Sequence, residues 1–263
     1  MTINVLARPI PDNVSSFVPH APLFAGVNTQ DSPSSTKQNK LHDSLETAIR
    51  ASGLQNGMTI SFHHAFRDGD KTVNMVLEKL AVMGFKDLTL AASSLTNCHS
   101  PLIEHIKNGV VRKIYTSGLR GKLADAISNG LLTEPVHIHS HGGRVHLIQS
   151  GELNIDVAFL GVPCSDEFGN ANGFSGKSRC GSLGYARVDA EYARHVILLT
   201  EELVAYPNYP ASIAQDCVDS IVQVEHVGDP AKIGGDATRM TSNPRELLIA
   251  RQAADVIEHS GYF

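Results

Sequence analysis

Along this chain the apolar positions switch repeatedly between two periods. Compact apolar runs bounded by glycine or polar residues read as buried strands. Stretches whose apolar residues recur at every third or fourth position read as amphipathic helices. From Leu41 onward the two alternate. The pattern predicts a helix over 41–52, broken by Gly53 and Gly57 before a strand over 58–62. The segment 63–70 leads into a helix with Val73, Val76, Leu77 and Leu80 on one face, ended by Gly84. Strands are predicted over 87–92, 111–116, 136–140, 157–162, 196–200 and 220–224, with helices over 101–108 and 122–129. A proline-started amphipathic helix runs from Asn243-Pro244 to His259 and ends at Gly261. This alternation predicts an α/β fold: a mostly parallel open sheet flanked by helices, with right-handed crossovers.

Residues 1–40 break the pattern. Five of the twelve prolines fall there (Pro9, Pro11, Pro19, Pro22, Pro33), and the polar run 28–40 closes the stretch. It reads as a Pro-rich N-terminal arm with little core of its own. The expected organisation is an arm over 1–40, an α/β domain over 41–240 and a helical segment over 241–263.

The most informative stretch is SGELNIDVAFLGVPCSDEFGNANGFSGKSRCGSLGYARVDAEY, from Ser150 to Tyr192. An apolar strand beginning at Ile155 runs into a long loop with five glycines between Gly169 and Gly184. That region also carries Asp166, Glu167, Asn170, Lys177 and Arg179. Open α/β sheets build small-molecule sites from such backbone at strand carboxyl ends, so the loop reads as a site.

Composition narrows the class. With 263 residues, 42% hydrophobic and 19% charged, the chain can bury one large core or two small ones. A net charge of −5 and a pI near 6.2 give no electrostatic footprint for nucleic acid. No apolar run approaches a membrane span, and MTINVLARPIPDNV lacks a signal peptide's basic and apolar regions. A cytoplasmic protein with no membrane association is expected. Cys98, Cys164, Cys180 and Cys217 lie far apart without a Cys-x-x-Cys pair, so they read as thiols.

Candidate chemistry gathers after the predicted strands. In Ser61-Phe62-His63-His64-Ala65-Phe66-Arg67-Asp68-Gly69-Asp70, two histidines and an arginine precede a helix start, where free backbone N–H groups favour anions. The competing reading is a solvated turn around one core-satisfied histidine, but a turn does not need two aromatics and two imidazoles. Ser93 and Ser94, then Ser117, Gly118 and Arg120, follow the next two strands and would face the same crevice. Arg67 and Arg120 are the expected carboxylate partners; each could instead pair with a nearby Asp68 or Asp125.

Other motifs are weaker. Alternation along a strand would put His137, His139 and His141 on one face, as a metal site wants. No carboxylate or cysteine stands at ligand spacing, and Gly142-Gly143 follows, so His139, His141, Gly142 and Gly143 are expected to bind substrate beside a glycine turn, without metal. Ala171 to Ser178 fits a relaxed phosphate-loop pattern but lacks an adjoining strand and helix. Cys164 reads as a buried structural thiol, not a nucleophile.

IDVAFLGVPCSDEFGN resembles the strand-loop segment of class I CoA-transferases. GMTISFHHAFRDGD, VRKIYTSGLRG, IHSHGGRVHLIQSGELNIDVAFLGVP, GSLGYARVDAEYA and MTSNPRELLIARQAADVI together are similar to one branch, the citrate lyase α-chain family, from about Leu41 to Phe263. Ser61-Phe62-His63-His64-Ala65-Phe66 stands where the wider class carries a Gly-Gly-Phe-Gly turn. Family chains are about twice this length, so the resemblance implies a second domain after 241–263. The family's nucleophilic glutamate is expected in that second domain. The catalytic residue is therefore unknown here, and neither Glu152 nor Glu167 is promoted to the role.

The resemblance implies a transferase that exchanges the acetyl group of acetyl-acyl-carrier protein for citrate and releases acetate. No cofactor would be tightly bound; a CoA-like phosphopantetheine-type group would arrive on the carrier protein. The citrate lyase β and γ subunits, and further copies of the chain, are the implied partners. Citrate or the carrier thioester would meet His63, His64, Phe66, Arg67, Ser93, Ser94, Ser117, Gly118, Arg120, His139, His141, Gly142 and Gly143. Two alternatives stay open: a substrate- or carrier-binding half without activity alone, and a sugar-phosphate isomerase of similar sheet architecture.

Overall fold

The computed structural model describes Thr2–Ile3, Pro9–Ile10 and residues 40–233 and 241–261. Contacts divide the chain into two units, Met1–Thr36 and Lys37–Phe263. In the first, β1 (Thr2–Ile3) and β2 (Pro9–Ile10) pair antiparallel. Residues 1, 4–8 and 11–39 of the expected arm lie outside the described residues.

The second unit runs β3 (Leu41–His42), α1 (Leu45–Ala51), β4 (Thr59–Phe62), α2 (Thr72–Val82), β5 (Leu88–Ala92), α3 (Leu102–Lys107), β6 (Val111–Thr116), α4 (Gly121–Ser128), β7 (His137–Ile138) and α5 (His141–Gln149). It continues through β8 (Val157–Asp166), β9 (Ala171–Asn172), α6 (Gly184–Tyr192), β10 (His195–Val204), β11 (Ser220–Gln223), α7 (Pro230–Ile233) and α8 (Pro244–Ser260). Among the described residues the sheet order is β3-β11-β10-β8-β4-β5-β6-β7, with β9 attached to β8. Every pairing along that path is parallel; β9 alone runs antiparallel to its neighbour. The chain steps outward from β4 to β7, then returns to the other side of β4 at β8. This reversal places the carboxyl ends of β4, β5 and β6 together on one edge, where open α/β sheets hold ligands.

Strand pleat divides the core in two. Val157 and Phe159 of β8 join Ile60, Phe62, Leu88 and Leu90 beneath α1 to α4. Ala158, Leu160 and Val162 point the other way, joining Ile148 of α5 and Ala186, Val188 and Ala190 of α6. Phe62 and Phe159 stack at 5.6 Å between ring centroids. Both faces of the sheet are covered, which is why β8 is apolar throughout its first half and does not alternate with polar residues.

Local capping explains where the elements depart from expectation. Residues 41–52 are not one helix: Leu41 and His42 pair with Ile221 and Val222 of β11, and α1 starts only after Ser44. The Ser44 hydroxyl accepts from the Thr47 N–H while the Thr47 hydroxyl accepts from the Ser44 N–H, a reciprocal cap that fixes the start. The strand expected over 136–140 shrinks to His137–Ile138, because Ser140 caps α5 by accepting from the Gly143 N–H at 2.9 Å. Gly142 and Gly143 therefore lie in a helical first turn and not in a glycine turn. Helix α6 was not anticipated, and β8 and β10 each reach ten residues because Cys164–Asp166 stays paired with Glu202–Val204. At Gly84 a φ of 86° ends α2, as a glycine allows.

Helix α8 starts at Pro244 behind Asn243, whose side chain accepts from the Arg245 N–H, and stops at the left-handed Gly261. All its described residues are exposed, including Leu247, Leu248, Ile249, Val256 and Ile257. No helix among the described residues is long and apolar enough to cross a membrane.

Candidate functional site

The loops after β4, β5 and β6 form a polar crevice of about 670 Å³ at the carboxyl edge of the sheet. His64, Arg67 and Asp68 come from the first loop, Ser94 and Thr96 from the second, and Ser117, Gly118 and Arg120 from the third. His141, the first residue of α5, closes one side, and Ala231 and Lys232 of α7 close another. The three loops singled out in the sequence therefore meet.

The crevice is cationic. Arg67 and Arg120 are both exposed, and among the described residues neither guanidinium makes a hydrogen bond or ion pair, with Asp68 and Asp125 included. Arg67 is held in the left-handed region (φ 52°), unusual for a residue with a side chain. Its N–H donates to the His64 carbonyl at 3.0 Å, and its carbonyl accepts from the Asp70 N–H at 3.3 Å. Among the described residues Lys232 pairs with Asp229 alone, at 3.5 Å, and its own side chain is largely exposed. Two guanidiniums lining one crevice, unpaired among the described residues, suit a ligand with several carboxylates.

Beside the cations lies an aromatic trio. The His64 and His141 rings stack at 5.6 Å, and Tyr185 of α6 lies 5.3 Å from His64 and 5.0 Å from His141. Burial, then the neighbouring His141, His63, Arg144 and Arg67, lowers the His64 pKa to about 4, so its imidazole is neutral near pH 7.

Several expected contact residues sit elsewhere. His63 is 5% exposed; its Nε2 bonds the Gly161 carbonyl at 2.9 Å and its Nδ1 accepts from the Ala65 N–H, so it is a satisfied core histidine. Burial lowers its pKa. Phe66 is fully buried, packed where a side chain at Gly161 or Gly228 would stand. Ser93 is also fully buried beneath His64. His139 bonds the Ser117 hydroxyl at 3.2 Å and does not line the crevice; nor do Gly142 and Gly143. His137, His139 and His141 do not share a strand face. His137 stacks on Tyr115 at 4.4 Å, His139 follows the strand, and His141 begins a helix.

The glycine-rich loop is corrected most. Asp166 and Asn170 hold the loop together, while Glu167, Lys177 and Arg179 are exposed and do not line the crevice. Buried Asp166 accepts from the N–H groups of Phe168, Gly169, Asn170 and Asn208 and from the Asn170 amide, all at 2.8–3.0 Å. Asn172 and Asn208 bond each other, and buried Cys164 contacts both. Ser178 donates to Glu201, which also accepts from the Val227 N–H. Lys177 lines a different surface depression with Leu41, His42 and Glu225. Helix α6 begins at Gly184, well beyond Lys177, so no phosphate loop forms.

Sequence reasoning missed Thr96, Tyr185 and Lys232, and treated Asp68 only as a competitor for Arg67. For Lys232 a signal existed: Asp229-Pro230 marks a helix start, and Asp229 accepts from the Ala231 N–H at 3.1 Å. Tyr185 lies in the family-like segment GSLGYARVDAEYA, but its helix follows an irregular loop and no hydropathy period marked it.

This open parallel sheet with a polar crevice at its carboxyl edge is a fold shared with CoA-transferases. An acyl-CoA transferase from Escherichia coli O157:H7 superposes with a TM-score of 0.57 at 12% identity, covering 82% of this chain and 54% of that one, which shows the fold alone. The chain belongs to the citrate lyase alpha subunit family, whose model matches residues 38–263. It is 76% identical to the citrate lyase alpha chain of Klebsiella pneumoniae over 244 residues, covering 91% of this chain and 48% of that one. The Haemophilus influenzae chain is 71% identical, over 92% of this chain and 48% of that one. A crystal structure of the citrate lyase alpha subunit from Streptococcus mutans, in complex with citrate, superposes with a TM-score of 0.82 at 55% identity over 88% of this chain and 45% of that one. The chain spans about half the length of the curated relatives it matches. The family leaves no support for the sugar-phosphate isomerase alternative.

Proposed function

We propose that this chain forms the citrate-recognising half of a transferase that exchanges the acetyl group of acetyl-acyl-carrier protein for citrate, giving citryl-acyl-carrier protein and acetate. The observation that carries the reading is that Arg67 and Arg120, whose guanidiniums have no partner among the described residues, line one crevice with Lys232. Citrate has three carboxylates, and planar guanidinium forks match them bidentately. The citrate held by the Streptococcus mutans relative supports the same ligand. The acyl group would arrive on a CoA-like phosphopantetheine arm carried by the acyl carrier protein, with no cofactor bound tightly by this chain. The citrate lyase β and γ subunits and further copies of the chain complete the proposed assembly. The nucleophilic carboxylate belongs to the remainder of the relatives' length, where attack on the thioester divides one difficult exchange into easier steps.

The test co-expresses this chain with the remaining half of a relative and follows citrate-dependent exchange of acetyl carrier. Arg67→Ala and Arg120→Ala should each lower kcat/KM for citrate about 30-fold, the equivalent of about 2 kcal/mol for a lost charge-assisted bond. Arg67→Lys and Arg120→Lys should recover only part. Retention of unaltered kcat/KM in both alanine variants would place citrate elsewhere.

A further inference from the structure

His64 and Ser93 meet in a way that fixes a proton. The Ser93 hydroxyl oxygen accepts from the His64 backbone N–H at 2.9 Å and lies 2.6 Å from His64 Nδ1. Ser93 is fully buried, and among the described residues its hydroxyl bonds no other group. A buried O–H needs an acceptor, and Nδ1 is the one within reach. Nδ1 therefore carries a lone pair, and the single proton of the neutral ring sits on Nε2. That nitrogen has no partner among the described residues, and His64 lines the crevice.

We propose that Ser93 is a positioning residue that locks His64 in its Nε2–H tautomer, so that His64 presents the crevice with a neutral N–H donor for the oxyanion of an acyl-transfer intermediate. The chemistry needs such a donor. When a carboxylate oxygen attacks the thioester carbonyl carbon, a C–O bond forms and the C=O π pair moves onto the carbonyl oxygen. The oxyanion accepts the hydrogen bond from Nε2. Collapse re-forms C=O and breaks the C–S bond, and sulfur leaves with the pair as thiolate. No proton is transferred, so a tautomer-locked donor serves better than a general base. Burial supports the assignment, because it holds the ring neutral in the presence of His63, His141, Tyr185, Arg144 and Arg67. The stack on His141 and Tyr185 fixes the ring plane.

The role rests on the transferase reading, whereas the tautomer does not, and the experiment separates them. Long-range ¹H–¹⁵N spectra of the histidine-labelled chain at pH 7 should show one ring, lost in His64→Gln, with bare Nδ1 and protonated Nε2. A proton on Nδ1, or on both nitrogens, overturns the lock. In Ser93→Ala the same ring should become a tautomer mixture, and Ser93→Thr, which keeps the hydroxyl, should restore it. With the remaining half supplied, His64→Leu should lose about 100-fold or more in kcat, as expected for one oxyanion donor, with KM for citrate little changed. His64→Gln keeps a neutral N–H and should recover to within about ten-fold of the unsubstituted protein. A glutamine variant as impaired as the leucine variant overturns the donor role. Absence of any exchange by the unsubstituted protein overturns the transferase reading and leaves the spectrum to decide the tautomer. Should Ser93→Ala fail to fold, the unsubstituted spectrum and the leucine and glutamine pair still decide.

Discussion

Arg144 and Asp189 form a bidentate ion pair with no solvent exposure on either side chain, Nη1 to Oδ1 at 2.7 Å and Nη2 to Oδ2 at 3.0 Å. The pair ties α5 to α6, and the Ala91 carbonyl and Ser61 hydroxyl tie it to the sheet beneath. His141 stands one turn before Arg144, and Tyr185 one turn before Asp189. The crevice-lining His141 and the Tyr185 ring beside it are thus set by a salt bridge that never meets solvent.

Removing one partner should be severe. Arg144→Leu leaves a buried carboxylate with Ser61 as its remaining side-chain donor, and about 3–5 kcal/mol of stability should be lost. The double variant Arg144→Leu with Asp189→Leu should lose much less than the sum of the singles. Urea unfolding of the four proteins measures this coupling directly. Additive single losses would mean that the pair does not act as a unit.

Asp166 should be the least replaceable residue of the glycine-rich loop. Asp166→Ala leaves several donors buried without their acceptor, among them the Gly169, Asn170 and Asn208 N–H groups. Each orphaned donor costs on the order of 1–3 kcal/mol, so a loss of about 4 kcal/mol or more is expected. Since Asp166 does not line the crevice, ligand binding by the folded fraction should change little. A shift in urea midpoint smaller than that of an exposed Asp43→Ala control would contradict the hub assignment.

Stability should fall as pH drops below neutrality, and His64 should carry part of the fall. Its folded pKa is depressed by burial to about 4 from an ordinary 6.5. Between those values the unfolded chain binds a proton that the folded chain refuses, so stability rises with pH across the window and is lost on acidification. Buried His63, also lowered, acts in the same direction. His64→Gln should flatten the dependence of the urea midpoint between pH 6.5 and 4. An unchanged slope in that variant would show that the imidazole is not neutral in the fold.

Much of the fold was legible because its signals are local. Val73, Val76, Leu77 and Leu80 lie on one buried face of α2, as their spacing requires. The alternation of strands and helices gave the parallel sheet, and Asn243-Pro244 and Gly261 marked both ends of α8. The errors arose where a cap competes with a strand. Ser44 and Ser140 each cut short or displaced an element, and a hydropathy period cannot register one hydroxyl accepting an N–H. The site was legible to the level of loops. Arg67, Arg120, His64, Ser94, Ser117, Gly118 and His141 converge, while neighbouring His63 and Phe66 turn inward.

The sequence by itself determined the class of sheet, the family, and the three loops that meet at the crevice, because periodicity and motif identity are properties of neighbours along the chain. Only the tertiary structure decided which side chain of each loop faces out. His63 and His64 are adjacent and identical, yet one donates to the Gly161 carbonyl in the core and the other leans on Ser93 at the crevice. Tertiary packing also turned Asp166 and Asn170 of the glycine-rich loop inward, where Asp166 gathers backbone donors from segments far apart in the chain. Burial and hydrogen-bond satisfaction are set by residues remote in sequence, and it is these that separate a ligand contact from a strut.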